Sequence, residues 1–340
     1  MTQQSFHAPT LVLIGALGCF LVGWAGTAAA APDDFAERLA AFADEVAERY
    51  DLDRSATRAI LAEARHDEAI LERIRTPAEG LSWYRYRDIF ITDARISAGV
   101  DYWQEHAELL EQVSERFAVE PEILLAILGV ETYYGRHTGT HRVLDALSTL
   151  AFDYPPRGDF FRRELATFLR LANDHGFDPT TVTGSYAGAM GKPQFIASSY
   201  EAYAAPFERE AERADLFNSD GDALASIANY LARHGWQQGA PIAAPVDAKG
   251  GVWQEFTAPL NRPTRPQHEA ASLAERGIEL PDGLTDRSTA VNLIELSARE
   301  GRELWLTYNN FYVLTRYNHS ALYAMAVFHL ANAIREEHHR

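Results

Sequence analysis

Glu131 is the residue of this 340-residue chain whose surroundings best suit a general acid. It follows the apolar run ILLAILGV and directly precedes TYYG, which carries two aromatic residues. Because an apolar environment disfavours the ionised form, we expect the pKa of the Glu131 carboxyl to be raised toward the range useful at neutral pH. An ordinary glutamate at a helix end, exposed or salt-bridged, fits the same segment, since structural networks also shift carboxyl pKa values.

A glycine-rich motif, GSYAGAMGKPQF at 184–195, is the second candidate. Its three glycines, at intervals of four and three, allow the backbone to approach a ligand closely, while Ser185 and Gln194 add hydrogen-bonding groups. It is not a phosphate-binding loop, because Pro193 follows Lys192 where such a loop needs serine or threonine. A glycine-rich turn between two helices is the alternative interpretation.

A third cluster combines NNFY at 309–312, RYNHS at 316–320 and Tyr323. Aromatic faces and fixed amides suit the apolar faces and the hydroxyl groups of sugars. The same pattern fits a junction between a strand and a helix that buries its tyrosines. On the residues alone, both interpretations stay open.

The sequence predicts neither a metal site nor a cofactor. Asn218, Asp220 and Asp222 imitate the start of a calcium-binding loop. Ala223 then stands where the loop needs glycine, and Asn229 stands where a bidentate glutamate belongs. No Gly-x-Ser-x-Gly nucleophile elbow occurs in the sequence.

Helices are expected to position these candidates. The apolar residues that start at Phe35 and at Phe161 recur in steps of four, three and four, which predicts an amphipathic helix in each segment. Gly176 should end the second of these, and 226–234 reads as a further helix. The sequence therefore predicts that 33–234 is almost wholly helical.

Two helix starts are predicted from single residues. Ser55 is expected to cap the helix of ATRAILAEARHDE through its hydroxyl. Pro121 suits the first turn of the helix that carries Glu131.

The character of the sequence changes near Gly239. The segments APIAAPV, GGVWQEF and TAVNLIEL are short, β-branched or alternating, and Pro and Gly clusters separate them. They predict a small β-containing insert at 241–304. The helical pattern returns in HSALYAMAVFHLANAIREE.

The N-terminal segment has the layout of a secretory signal peptide. An uncharged apolar run at 9–26 precedes small residues that suit cleavage after Ala30. A retained transmembrane anchor and lipidation of Cys19 are the alternatives. The sequence favours cleavage, because 16–18 is a loose lipidation motif and the residues after Cys19 stay hydrophobic. Cleavage would remove the chain's single cysteine.

Composition limits the classes of partner. With 31 Lys and Arg against 48 Asp and Glu, the net charge is −17. Such a chain repels polyphosphates, which excludes nucleic acid and anionic lipid as main partners. A hydrophobic content of 47% and the length indicate a folded protein of two or three domains.

Together these motifs resemble the lytic murein transglycosylases of the membrane-bound B type, a bacterial cell-wall enzyme family. The matching stretches are LLAILGVETYYG, LSTLAFDYPPRGDFFRRELATFL, GSYAGAMGKPQF, SIANYLARHGW and NNFYVLTRYNHSALYAMAV. The resemblance implies a mainly α fold, with a lysozyme-like helical core, an added N-terminal helical domain and a small β-containing insert. The implied division is a signal peptide at 1–30, an N-terminal helical domain at 31–115, a catalytic core at 116–240, the insert at 241–304 and a return to the core at 305–340.

The resemblance also implies a reaction in the periplasm. The bond between N-acetylmuramic acid (MurNAc) and N-acetylglucosamine (GlcNAc) would be cleaved without net hydrolysis, with Glu131 as the only acid and base. The C6 hydroxyl of the muramoyl residue would attack C1 and close a 1,6-anhydro ring. Since the substrate supplies the nucleophile, no second carboxylate is needed. A hydrolytic muramidase and a non-catalytic peptidoglycan-binding scaffold are the alternatives.

By matching position, several residues are expected to line the sugar subsites on the glycan strands of peptidoglycan. They are Ser185, Gln194, Tyr230, Tyr317, Asn318 and Tyr323, with Tyr86 of WYRYRDIF as a further candidate; Met190 and Phe195 would shape the groove. The resemblance leaves open which cell-wall synthesis or secretion complex directs the enzyme.

Two departures from the family pattern stand out. Ala197 occupies a position where the family commonly has proline, which puts the rigidity of that loop in doubt. The segment FEREAERADLF lacks the Asp-x-Asp-Gly pattern of the metal loop found in some relatives, so we expect no structural calcium.

Overall fold

The computed structural model describes residues 34–75, 80–207, 212–248 and 250–340. The predicted signal peptide lies outside these residues. Among the described helices, none has the length and apolar composition needed to cross a bilayer. The α-helices are α1 (Phe35–Tyr50), α2 (Arg54–Ala62), α3 (Glu68–Ile74), α4 (Trp83–Phe90), α5 (Asp93–Glu105), α6 (Ala107–Phe117), α7 (Pro121–Thr132), α8 (Val143–Asp153), α9 (Gly158–His175), α10 (Ala197–Tyr203), α11 (Asp220–Arg233), α12 (Ala270–Glu275), α13 (Asn309–Tyr317) and α14 (Ala321–His338).

The strands form two sheets. They are β1 (His141–Arg142), β2 (Thr183–Gly184), β3 (Ala243–Ala248), β4 (His268–Glu269), β5 (Ile278–Glu279), β6 (Ala290–Ser297) and β7 (Arg302–Thr307). β1 and β2 pair with each other, and the other five follow the order β4-β6-β7-β3-β5, with every pair antiparallel. The predicted fold class, mainly α with a small β-containing insert, is confirmed.

Helix α7 is the centre of the helical core. Its residues from Ile123 to Thr132 are all buried, and α5, α6, α11 and α14 pack around it. A helix that is apolar on every face is stable only when it is covered on every face. The chain therefore carries Glu131, near the end of this helix, into the interior.

Two of the predicted helix boundaries are confirmed. Pro121 lies in the first turn of α7, and Gly176 ends α9 with a φ of 73°, a left-handed conformation that glycine adopts without strain.

Two other predicted helix starts are wrong. The cap of α2 is Asp53 and not Ser55, because the Asp53 carboxylate accepts the N–H of Ala56 at 2.7 Å. The helix expected from Ser226 begins six residues earlier at Asp220, behind the capping hydroxyl of Ser219. In α11, Asp220 and Asp222 lie in the first turn, where their negative charges favour the earlier start by interacting with the helix N-terminus.

The five-stranded sheet has its own hydrophobic core. TAVNLIEL forms β6 and APIAAPV contributes β3, as predicted, but GGVWQEF does not form a strand. It forms a short 3-10 helix, Val252–Phe256, which buries the Trp253 ring against the sheet. Strand β7 was not predicted; it extends the sheet to Thr307, beyond the expected end of the insert at 304. The division of the chain into domains stays a prediction.

The sheet is fixed against the helices by contacts along β6 and β7. Ile294 and Leu296 of β6 belong to the helical core, and the Ser297 hydroxyl accepts the N–H of Trp83 at 3.0 Å. The Trp305 ring of β7 lies 5.3 Å from the His329 ring of α14, centroid to centroid. The sheet therefore packs directly on the helix that also contacts α7.

Candidate active site

Glu131 lies in the last turn of α7 and is only 6% exposed. The Tyr323 hydroxyl donates a hydrogen bond to Glu131 Oε1 at 2.7 Å. The interpretation of Glu131 as an exposed helix-end residue is therefore wrong. A buried carboxyl with one oxygen held by a neutral donor has the environment expected of a general acid.

The backbone turns sharply directly after Glu131. Tyr133, Tyr134 and Gly135 have φ angles of 51°, 60° and 81°, so two non-glycine residues adopt the left-handed region. The Thr132 hydroxyl donates to the carbonyl of Lys192 at 2.9 Å and accepts the Gly135 N–H at 3.0 Å. This turn joins the end of α7 to the glycine-rich motif.

A row of buried tyrosines extends from Glu131. The Tyr317 and Tyr323 rings stack with 6.3 Å between centroids and 7° between planes. The Tyr317 hydroxyl donates to the carbonyl of Pro193 at 2.6 Å. Burial, with the nearby Glu131 charge, raises the pKa of both hydroxyls well above the ordinary value. Both are therefore neutral hydrogen-bond donors at physiological pH.

The row ends in an aromatic cluster. The Tyr230 ring lies 5.0 Å from that of Tyr317 and 5.8 Å from that of Phe195, and its hydroxyl donates to the carbonyl of Arg316. Phe195 also lies 5.7 Å from Tyr317. Burial raises the pKa of the Tyr230 hydroxyl, which keeps it neutral as well.

The glycine-rich motif forms a tight loop through its own backbone. Met190 and Phe195 exchange both backbone hydrogen bonds, at 2.9 and 3.0 Å. The Ser185 hydroxyl accepts the N–H groups of Ala187 and Ala189. A Cβ at Gly188 would lie 2.4 Å from a Leu147 methyl group, so the loop packs too closely on α8 for a side chain there.

Gln194 has the most unusual environment in this loop. Its φ is 51°, and its side-chain amide nitrogen donates to the carbonyls of Thr138 and Gly191 at 2.9 and 3.0 Å. Its side-chain oxygen is buried and has no hydrogen-bond partner among the described residues. Buried acceptors are normally satisfied, so this oxygen is suited to accept a hydrogen bond from a ligand.

Four of the predicted site residues, Tyr323, Tyr317, Tyr230 and Phe195, form a continuous series of contacts that begins at Glu131. All the predicted site residues are at most 7% exposed: Tyr86, Met190, Phe195, Ser185, Gln194, Tyr230, Tyr317, Asn318 and Tyr323. Met190 and Tyr323 are completely covered, so they affect a ligand only through the groups that they position. Their individual roles stay predictions.

Glu164 is a buried carboxyl that the sequence interpretation missed. It lies on α9 with 3% exposure, and Oε2 accepts the N–H of Ser198 in the first turn of α10 at 2.9 Å. Burial raises the pKa of its carboxyl. A signal was present, since Glu164 falls between Phe161 and Phe168 on the apolar face of the helix.

The Asp222 side chain on α11 is already used in hydrogen bonds to the backbone. The two carboxylate oxygens of Asp222 accept the backbone N–H groups of Phe207 and Asp215, at 2.8 and 2.7 Å. The described residues contain no group of three or more potential metal ligands, while 208–211 of the same segment lie outside them. Both oxygens of Asp222 are thus already hydrogen-bonded. That the chain binds no structural calcium stays a prediction.

Comparison with known proteins identifies the family. Residues 34–332 match the family described as Transglycosylase SLT domain. The chain belongs to this family. Membrane-bound lytic murein transglycosylase B of Escherichia coli (strain K12) is 36% identical over 304 residues, which are 86% of this chain and 81% of that protein. The predicted family and the predicted enzyme class, a lytic transglycosylase, are thus confirmed.

Solved structures of the family share the fold. Soluble lytic transglycosylase SltB1 from Pseudomonas aeruginosa superposes with a TM-score of 0.82 at 41% identity, covering 89% of this chain and 100% of that chain. SltB3 from the same organism, in complex with NAG-NAM-pentapeptide, has a TM-score of 0.78 at 29% identity and covers 89% of this chain and 80% of that chain.

Proposed function

We propose that this chain cleaves the MurNAc-β-1,4-GlcNAc bond of peptidoglycan non-hydrolytically and leaves 1,6-anhydromuramoyl ends, with Glu131 as the only general acid and base. The observation that carries the proposal is the buried Glu131 carboxyl, held by the Tyr323 hydroxyl at 2.7 Å in a chain of this family. The relative SltB3 was solved with NAG-NAM-pentapeptide, which supports a glycan strand as the substrate here.

The proposed reaction needs one carboxyl group in two protonation states. Protonated Glu131 donates its proton to the glycosidic oxygen as the bond from that oxygen to C1 breaks. The positive charge at C1 is then carried by the N-acetyl group of the substrate. The Glu131 carboxylate next removes the proton of the muramoyl C6 hydroxyl, whose oxygen bonds to C1 and closes the anhydro ring. Glu131 is then protonated again, as it was before the reaction.

The Tyr323 hydroxyl would serve this cycle by orientation. By binding Oε1, it would hold the Glu131 carboxyl in one orientation for the proton transfers. It also donates to the carboxylate that forms after the first transfer, and a hydrogen bond to a charged group is stronger than one to a neutral group.

The loop and the aromatic cluster would form the sugar subsites. The unpartnered side-chain oxygen of Gln194 can accept from a sugar hydroxyl or from the N–H of an acetamido group. We place Ser185 and Asn318 in the same role by their position in the family motifs. We also place the enzyme in the periplasm, since its N-terminal sequence is typical of an export signal.

Product analysis tests the reaction. Digestion of purified peptidoglycan should give muropeptides with anhydro ends, identified by mass spectrometry. Products heavier by one water would identify a hydrolytic muramidase instead and refute the transglycosylase reaction.

Substitution of the acid tests the role of Glu131. We expect Glu131→Gln, which preserves shape, to lower the rate by about a thousandfold, within the range typical of general acid catalysis. Glu122→Gln in the first turn of the same helix is the matched control and should stay active, because Glu122 pairs with Arg335. Unchanged wall lysis by Glu131→Gln would refute Glu131 as the acid, whereas absence of lysis with both the wild-type protein and the variant would indicate a non-catalytic scaffold.

A further inference from the structure

The guanidinium groups of two arginines lie close to one tyrosine ring on α13. The guanidinium carbon of Arg316 lies 4.2 Å from the Tyr312 ring centroid, and that of Arg265, from the segment before β4, lies 5.2 Å from the same centroid. We call Arg265, Tyr312, Arg316 and His319 the arginine cluster. It is a concentration of positive charge in a protein whose net charge is −17.

The arginine cluster has no carboxylate of its own among the described residues. Arg316 contacts His319 Nε2 at 3.1 Å, the Thr315 hydroxyl at 3.1 Å and the carbonyl of Pro263 at 3.4 Å. Its Nε is buried without a hydrogen-bond partner, and so is Nδ1 of His319.

The charge of the cluster comes from its two arginines, because His319 is neutral at physiological pH. Burial, and then the charges of Arg316, Arg157 and His234, lower the pKa of His319 to about 4. Burial lowers the pKa of Arg316, and the charge of Arg265 acts in the same direction. A half-buried cation without a counter-ion is unfavourable in the free protein, so an external anion that reached this site would be stabilised there.

The cluster adjoins the tyrosine row of the proposed active site. The Arg316 carbonyl accepts the Tyr230 hydroxyl, and the next residue is Tyr317, which stacks on Tyr323. The cluster therefore lies at the end of the row that is remote from Glu131. Arg265 is exposed, so a substituent of a glycan strand bound beside this end of the row would reach it.

We propose that Arg265 and Arg316 bind a carboxylate of the peptide stem carried by the muramoyl residue of the glycan strand. This rests on the proposed function. The sugar rings are uncharged, so the anionic groups that this substrate offers are the carboxylates of its stems. Guanidinium groups bind carboxylates through paired N–H donors, and the Tyr312 ring keeps both guanidinium groups oriented.

A binding measurement tests this without catalysis. The ligand is the disaccharide GlcNAc-MurNAc with an L-Ala-D-Glu stem, which lacks the scissile MurNAc-GlcNAc bond. It is compared with the same compound whose stem carboxylates are amidated. By titration calorimetry, we expect wild-type protein to bind the carboxylate form about tenfold more tightly, as charge-assisted hydrogen bonds of this kind typically allow.

The variants localise the effect. Arg265→Glu should reduce the tenfold preference to about twofold or less, and should leave the affinity for the amidated ligand unchanged, which shows that the protein is folded. Arg262→Glu, at an exposed arginine three residues earlier, makes the same change in net charge and should keep the preference.

Two results would overturn the inference. One is equal affinity of wild-type protein for the two ligands. The other is an equal loss of preference in Arg262→Glu and Arg265→Glu, which would indicate a diffuse charge effect. Neither outcome bears on the muropeptide products, so failure of this site and failure of the proposed reaction are distinguishable.

Discussion

The Tyr323 hydroxyl is predicted to set the pH at which the enzyme loses its general acid. It is buried, neutral and 2.7 Å from Glu131 Oε1, so it stabilises the carboxylate more than the protonated acid. Tyr323→Phe removes that donor and keeps the ring. We therefore expect activity to persist to higher pH in the variant, although its maximal rate is lower.

The size of the shift follows from the difference between two hydrogen bonds. A bond to a charged group contributes about 1.5 to 3 kcal/mol and one between neutral groups about 1 kcal/mol, so the carboxylate loses about 0.5 to 2 kcal/mol more than the acid. At 1.36 kcal/mol per pH unit, the alkaline limb of the rate profile should move up by about one pH unit. Loss of orientation should lower kcat by about tenfold.

The assay is the pH dependence of kcat/KM on a soluble glycan strand between pH 4 and 9. Tyr317→Phe is the matched control, since its hydroxyl donates to the Pro193 carbonyl and not to Glu131. That variant should leave the alkaline limb in place. An unmoved limb in Tyr323→Phe, or an equal shift in both variants, would refute the assignment of this hydrogen bond to the acid.

Three further predictions concern stability. Glu164→Ala leaves the partly buried Ser198 N–H without its acceptor and should lower the free energy of unfolding by about 1 to 3 kcal/mol in urea, whereas Glu164→Gln should recover most of the loss. Ala197→Pro should raise the free energy of unfolding by about 0.4 to 1 kcal/mol, because Ile196 has the extended backbone that a following proline requires; a lower melting temperature would show that the ring does not fit. Burial lowers the pKa of His329 from 6.5 to about 4, so the folded protein favours the neutral form of this side chain. The stability that depends on neutral His329 is therefore complete above pH 6.5 and is lost as the pH falls toward 4. The loss is at most about 3 kcal/mol, and His329→Phe should flatten the dependence of unfolding free energy on pH in this window.

The sequence allowed the main helices and the acid to be predicted because both depend on local pattern. The apolar run of α7 required burial on every side, and burial of the run carried Glu131 into the core. The periodic residues of α9 identified one face of a helix, and Gly176 marked its end. Each of these features is determined by residues that lie within a few helical turns of one another in the sequence.

The features that were missed depend on contacts between distant segments. GGVWQEF has the composition of a strand, but it forms a 3-10 helix that buries the Trp253 ring in the core of the sheet. Ser and Asp both cap helices well, but α2 begins at Arg54, so Asp53 is in the capping position and Ser55 is already inside the helix. Glu164 caps a helix more than thirty residues away, which no local pattern reveals.

Net charge and local charge have different consequences for substrate binding. At −17 the chain repels an anionic wall at long range, so we expect uncharged sugar contacts to dominate the approach to the strand. The arginine cluster acts only at contact distance, where salt at physiological strength, with a screening length of about 8 Å, weakens it little. Under the proposal, the association rate would therefore gain nothing from low salt, while the dissociation rate would depend on the stem carboxylate. An enzyme of this kind would select strands that still carry their peptides without being drawn to every anionic surface in the envelope.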